Sequence, residues 1–126
     1  MARVLLVDDE VDFIEFVKPC LEQAGIDVDI AMSGREALES VKKQRPDVVV
    51  TDIVMPEMDG VELVKEISRF DDSILMITVT GYPAWDDKLN SIRDSIKVSL
   101  LKPIRLDDVL SSVDICLAVV NKPAAK

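Results

Sequence analysis

The 126-residue sequence predicts an α/β domain: a five-stranded, doubly wound parallel sheet with helices on both faces. Three observations carry this expectation. Apolar runs of strand length alternate five times with stretches of helical period. The first, third and fourth runs are apolar on consecutive positions, as strands buried on both faces are. Polar side chains close four of the runs: Asp8 and Asp9 after Val4-Leu5-Leu6-Val7, Asp52 after Val48-Val49-Val50-Thr51, Thr80 after Ile74 to Val79, and Lys102 after Val98-Ser99-Leu100-Leu101. In an open parallel sheet the carboxyl ends of the strands are where ligands bind, so these side chains are expected to share one pocket.

Each element has its own local signal. The first strand is expected over 3–7 and the first helix over 12–24, where Ile14, Val17, Leu21 and Ala24 share a face. Pro19 lies inside that helix, removes a backbone donor and predicts a kink, at a cost of about 3 kcal/mol if nothing compensates. Gly25 ends the helix. The second strand, 27–31, reads Asp27-Val28-Asp29-Ile30 and alternates as an edge strand does. Ser33-Gly34 opens a helix over 34–44, and Pro46 precedes the third strand, 47–51. Asp59-Gly60 opens a helix over 60–69, and the fourth strand spans 74–79. A fourth helix is expected over 84–96, with Trp85, Leu89, Ile92 and Ile96 on one face, which favours core packing for Trp85 over an exposed anchor. The fifth strand, 97–101, leads to a last helix over 106–120, where Leu106, Val109, Leu110, Val113, Leu117 and Val120 form the core stripe. Ile115 and Val119 are left on the opposite face. One domain is expected over 1–120, with 121–126, Asn-Lys-Pro-Ala-Ala-Lys, as a frayed tail or the start of a linker.

Composition narrows the chemistry. A hydrophobic content of 48% suffices for a core at this length. A net charge of −9 argues against direct nucleic-acid binding, which needs clustered Lys and Arg. The chain has no histidine, which excludes Ser-His and Cys-His catalytic pairs. Cys20 and Cys116 lack metal-ligand spacing and are expected to be free, buried thiols in a reducing cytosol. No apolar run is long enough for a signal peptide or a membrane span, so a cytoplasmic, membrane-free protein is expected.

Three acids, a hydroxyl and an ammonium make a site for a divalent cation and a phosphoryl group. Taken singly, each residue has a plainer reading. Asp8 and Asp9 are equally at home near a helix start, where Asp12 is a cap candidate. Lys102 alone reads as a solvated lysine, and Thr80 as a helix cap. Asp52 is harder to dismiss, because an acid at the end of a buried Val-rich strand needs a charge partner or a metal.

Together, Val-Asp-Asp-Glu at 7–10, Asp-Ile-Val-Met-Pro-Glu-Met-Asp-Gly at 52–60, Thr-Gly at 80–81 and Lys-Pro at 102–103 resemble the receiver domain of two-component response regulators, similar in fold to the chemotaxis regulator. The resemblance covers essentially the whole chain. It implies a flavodoxin-like sheet of order 2-1-3-4-5 and a phosphorylation switch. Asp52 would take a phosphoryl group from a partner's phosphohistidine in a magnesium-dependent step. Asp9 and Asp52 would bind Mg2+ directly, Asp8 would act mainly through a coordinated water, and the backbone carbonyl of Val54 would add a ligand. Lys102 would supply the compensating cation and Thr80 a hydroxyl donor. The Lys102–Pro103 bond is expected to be cis.

The implied partner is a histidine kinase or a histidine phosphotransfer protein in a phosphorelay, meeting the first helix near Phe13, Phe16 and Cys20. The fourth-helix, fifth-strand and fifth-helix face would serve self-association or an output partner. Such a chain is a phosphoacceptor that catalyses its own phosphotransfer and autodephosphorylation, not an enzyme acting on a separate metabolite. Two alternatives are a magnesium-dependent phosphatase with an aspartyl nucleophile, which generally needs a second acid where Val54 stands, and a phosphorylation-independent interaction domain. One position departs from the family pattern. The aromatic residue usual three places before the lysine is replaced by Ser99; Tyr82 is open to three readings, as a substitute for it, as a shield of the phosphoryl group, or as a plain packing residue.

Overall fold

The computed structural model describes residues 2–55, 57–81 and 90–120. Five strands, β1 (Arg3–Val7), β2 (Asp27–Ala31), β3 (Val48–Asp52), β4 (Leu75–Thr80) and β5 (Val98–Leu101), form one sheet in the order β2-β1-β3-β4-β5. Every pairing is parallel. The described α-helices are α1 (Val11–Gln23), α2 (Gly34–Lys43), α3 (Gly60–Phe70) and the last helix, α4 (Leu106–Val119).

Side-chain parity along the strands assigns the two faces. Val4, Leu6, Val48, Val50, Ile77 and Val79 pack with Val17 and Leu21 of α1 and Val109, Val113, Cys116 and Leu117 of α4. Leu5, Val7, Val49 and Met76 pack with Ala37 and Val41 of α2 and Leu63, Val64 and Ile67 of α3. Since successive strand side chains point to opposite faces, this division requires the continuous apolar runs seen in β1 and β3. The doubly wound architecture is as the sequence predicts, and the strand order is the one the resemblance implies.

Local chemistry accounts for three of the helix ends. Ser33 Oγ accepts from the Glu36 N–H, and an Asp59 carboxylate oxygen accepts from the Glu62 N–H, so α2 and α3 are capped as expected. At the end of α1, Gly25 (φ 82°) donates to the Glu22 carbonyl and Ile26 donates to that of Leu21. This is a Schellman motif, whose left-handed residue is usually glycine. The first helix differs from expectation at its start. Glu10 occupies the N-cap position with no side-chain cap bond, and Asp12 lies in the first turn, where its charge complements the helix dipole. The helix spans Pro19, and Cys20 Sγ lies 3.6 Å from the Phe16 carbonyl, one turn back.

Three other expectations need adjusting. β2 is an edge strand of the sheet, as expected, but with Ile30 46% exposed and Val28 half-buried its burial alternates only weakly. Cys20 is half-exposed, whereas Cys116 is buried and its thiol is pushed up to about 11 by burial; neither forms a disulfide. Of the helix expected over 84–96, residues 84–89 lie outside the described part, Trp85 and Leu89 among them, as does Tyr82 before it. Residues 93–95 form a 3-10 turn in place of a continuing α-helix. Ile92 is nevertheless buried in the α2/α3 core and Ile96 packs against it.

The amino-terminal pole of the sheet is tied by opposite charges. Arg45 donates through Nε to Asp71 and through Nη2 to the Ser73 hydroxyl, and its Nη1 lies 3.9 Å from Asp47. Asp47 accepts from the Arg3 N–H at 3.0 Å, and the Arg3 guanidinium bonds Asp29 at 2.8 Å and reaches Asp27 at 3.6 Å. Hydrogen bonds from Ser73 and from Arg45 hold the Asp71 carboxyl down at about 2.

At the opposite pole, α3 starts hard against β3. The Gly60 N–H donates to the Ile53 carbonyl at 2.8 Å, and a Cβ there would sit 2.3 Å from the Asp52 carbonyl oxygen and 2.7 Å from Ile53 Cα. Both obstacles are backbone, so Gly60→Ala must push the end of β3 aside. We expect a loss of about 3 kcal/mol in urea unfolding. A change within about 0.5 kcal/mol would show that the loop absorbs a methyl group freely.

Candidate phosphoryl and metal site

The parity that builds the core also aims the polar side chains. Asp8, Asp52 and Lys102 continue the numbering of Leu6, Val50 and Leu100, the positions that face α1 and α4. Thr80 continues the numbering of Met76 on the other face. Asp8 and Asp52 are buried, Asp9 is exposed, and Thr80 ends β4 at 3% exposure. The Lys102 N–H donates to the Thr80 carbonyl at 2.7 Å, which fixes the start of the β5–α4 connection beside β4. The Lys102–Pro103 peptide is cis, as the resemblance implies.

The side chains meet around the lysine. Lys102 Nζ donates to Asp52 Oδ2 at 3.1 Å and lies 3.7 Å from Glu10 Oε1 and 4.0 Å from Asp8 Oδ2. It also stands 6.0 Å from the centroid of the Phe13 ring. Asp52 Oδ1 accepts from the Val54 N–H at 3.2 Å, and Asp8 Oδ1 accepts from the Glu10 N–H at 2.9 Å. Asp8 Oδ2 is buried and has no hydrogen-bond partner among the described residues. Carboxylate oxygens of Asp8, Asp9, Glu10 and Asp52 all lie within 4.8 Å of one another. Oxygen donors in that density, one of them orphaned in the interior, fit a hard divalent cation, since an unpaired buried acceptor is costly.

Titration follows from this crowding. Burial pushes the Asp8 carboxyl up to about 6; the hydrogen bond from Glu10 opposes this and the charge of Asp52 adds to it. Burial works against the Lys102 ammonium, yet the hydrogen bond to Asp52 and the charges of Asp52, Asp8 and Glu10 hold its pKa above the ordinary value.

The geometry thus brings Asp8, Asp9, Asp52 and Lys102 together, with Thr80 joined through the backbone and Val54 bonded to Asp52 through its amide, its side chain exposed. Sequence reasoning assigns no role to Glu10, which joins both the carboxylate group and the lysine. A signal for it exists: it stands two positions after Asp8, inside the acidic run. Beside the site, Glu10, Asp12, Phe13, Phe16, Pro103 and Ile104 line a recess of about 670 Å³ with Lys102 at its wall. Phe16 is 55% exposed, as its offset from the α1 core stripe predicts. Ser99 is exposed, and its hydroxyl accepts from that of Thr78 on the paired strand at 3.2 Å.

Comparison with known proteins places the chain among receiver domains. The chain is 39% identical over 110 residues to the response regulator receiver protein Anae109_2439 of Anaeromyxobacter, covering 87% of this chain and 46% of that protein. It is 29% identical over 125 residues to the Bacillus subtilis protein YesN, described as an uncharacterized transcriptional regulatory protein, covering 97% of this chain and 34% of the relative. The chain therefore spans less than half the length of either relative. Among solved structures, the response regulator protein TrrA of Thermotoga maritima, in complex with Mg2+ and BeF, superposes with a TM-score of 0.82 at 31% identity, over 93% of this chain and 100% of that one. The family described as the response regulator receiver domain matches residues 4–114, and the chain belongs to that family, the phosphoacceptor switch of two-component signalling.

Proposed function

We propose that Asp52 is the phosphoacceptor and that Asp8, Asp9 and Asp52, with the Val54 carbonyl, hold Mg2+. The observation that carries this reading is the Asp52 carboxylate itself: buried at the end of β3, bonded through Oδ2 to Lys102, and grouped with Asp8, whose Oδ2 lacks a hydrogen-bond partner among the described residues. Magnesium, when bound, supplies positive charge against both the carboxylate and the incoming phosphoryl oxygens.

The chain's own residues do the rest. The Val54 N–H orients Asp52 through Oδ1, leaving Oδ2 toward Lys102. When Oδ2 attacks phosphorus, an O–P bond forms as the donor's N–P bond breaks, and the Lys102 ammonium moves from the carboxylate to the transferred phosphoryl oxygens. The Thr80 hydroxyl donates to another of those oxygens. Hydrolysis of the aspartyl phosphate by water in the same site returns Asp52, so the domain catalyses its own phosphorylation and dephosphorylation. The donor is the phosphohistidine of a histidine kinase or a phosphotransfer protein. A reducing cytosol suits the free thiols of Cys20 and Cys116.

Acetyl phosphate labelling with Mg2+, followed by peptide mapping, tests the assignment. Aspartyl phosphate on the peptide bearing Asp52 is expected; phosphate on another acid, or release of free phosphate without a covalent product, would overturn it.

Docking of the donor is assigned to the recess between α1 and the Lys102–Ile104 segment, where Phe16 offers exposed apolar area next to the acceptor. Phe16→Ala should slow transfer from the cognate phosphohistidine protein about tenfold or more while leaving acetyl phosphate labelling unchanged, because only the protein donor uses that contact. Equal slowing with both donors would place Phe16 in the catalytic fold and not in an interface.

A further inference from the structure

We infer that Glu10 is a positioning residue for the phosphotransfer reaction, serving as the alternative anchor that receives the Lys102 ammonium when a cation takes Asp52. This role rests on the proposed roles of Asp52 as acceptor and of Asp8 and Asp9 as metal ligands.

Lysine and metal compete for one carboxylate. Lys102 Nζ sits 3.1 Å from Asp52 Oδ2, so a divalent ion binding to that carboxylate meets a positive charge already in place. The ammonium must lose that contact for the metal to enter at low cost. Among the described residues three carboxylates lie within 4.0 Å of Nζ: Asp52 and Asp8, which are proposed to act toward the metal, and Glu10, at 3.7 Å, which is not. A small swing of a flexible four-carbon stem transfers the ammonium to Glu10 without exposing it to an unpaired interior.

Two further features hold Glu10 in that role. Its main-chain N–H is tied to Asp8 Oδ1, which fixes its backbone beside the site, while its side chain is 66% exposed and free to follow the lysine. The Phe13 ring, its centroid 6.0 Å from Nζ, stands beside the ammonium. Once a phosphoryl group is present, its oxygens outcompete a solvated carboxylate for Lys102. Glu10 therefore favours metal entry and stands aside in the phosphorylated state.

The test is a double-mutant cycle read by magnesium calorimetry on the intact chain, using wild type, Glu10→Gln, Lys102→Met and the double variant. Glu10→Gln should weaken Mg2+ binding about two- to fivefold, the range expected for a solvent-exposed ion pair. In the Lys102→Met background the same change should have almost no effect, since Glu10 acts through the lysine. At saturating Mg2+, Glu10→Gln should leave beryllofluoride affinity unchanged or raise it. Lys102→Gln supplies the second background if Lys102→Met fails to fold.

An equal loss of Mg2+ affinity in both backgrounds would make Glu10 a direct contributor of charge or ligand and overturn the inference. No loss in either background would overturn it as well. Failure of the underlying reading looks different: the wild type would bind no Mg2+, or Asp52→Asn would bind it as tightly as wild type.

Discussion

Asp52→Asn is expected to abolish covalent labelling by acetyl phosphate while leaving a folded protein. Asparagine is isosteric with aspartate, so the end of β3 and its packing persist, but the amide is not a competent nucleophile here. The substitution also offers one oxygen where two now accept, from the Val54 N–H and from Lys102. One of those donors loses its partner, which predicts a modest stability change of about 1 kcal/mol set against the relief of carboxylate repulsion. Intact-mass measurement reads the first effect and urea unfolding the second. Labelling of Asp52→Asn to the wild-type extent would remove Asp52 from the acceptor role; a collapsed fold would show that its charge is structural.

Asp8→Asn should stabilise the metal-free protein at neutral pH. The carboxyl of Asp8 is raised from 3.8 to about 6 by burial, so the fold opposes its ionisation. For an acid whose folded pKa lies above its unfolded one, the native state binds more protons in the interval between them, and stability falls as pH rises through it. The metal-free wild type should therefore lose stability between about pH 4 and pH 6 from this group and stay at the lower level above that. That loss is about 3 kcal/mol, since each tenfold change in the protonation equilibrium corresponds to about 1.4 kcal/mol. The difference between Asp8→Asn and wild type in urea unfolding with a chelator should be largest above about pH 6 and shrink toward pH 4. Added Mg2+ should reverse the order, stabilising wild type more than Asp8→Asn, because the cation needs the ionised oxygens. A pH-independent difference would show that the Asp8 carboxylate is not held against its ionisation.

Strand positions and the gathering of Asp8, Asp52 and Lys102 at the strand ends were largely legible because both rest on one-dimensional signals. A run such as Val48-Val49-Val50 can be satisfied only between two covered faces, and an acid at its end needs a partner in space. The Ser33, Asp59 and Gly25 boundaries were legible because each supplies a backbone requirement that its neighbours do not. The rest depended on three-dimensional neighbours. Adjacent acids look alike in the sequence, yet Asp8 is interior and Asp9 exposed, since consecutive side chains diverge at the end of a strand. The alternation of β2 overstates its burial, because an edge strand has cover on one side only and Ile30 lies near that margin. The register that brings Glu10 to Lys102 joins positions 92 residues apart, and no local pattern reports it.

The oppositely charged ties at the amino-terminal pole bear on how the sheet can move. Arg3, Asp27, Asp29, Arg45, Asp47 and Asp71 join the entries to four neighbouring strands, and a one-residue slip of any of these strands would break its tie and reverse its faces. Mechanically the sheet is a lever clamped at that end. If the proposed acceptor gains charge at the other end, strands held in this way resist sliding past one another, and the response is expected outside the strands. The clamp thereby directs a change of one or two charges toward the loops, where another molecule can read it as a change of shape.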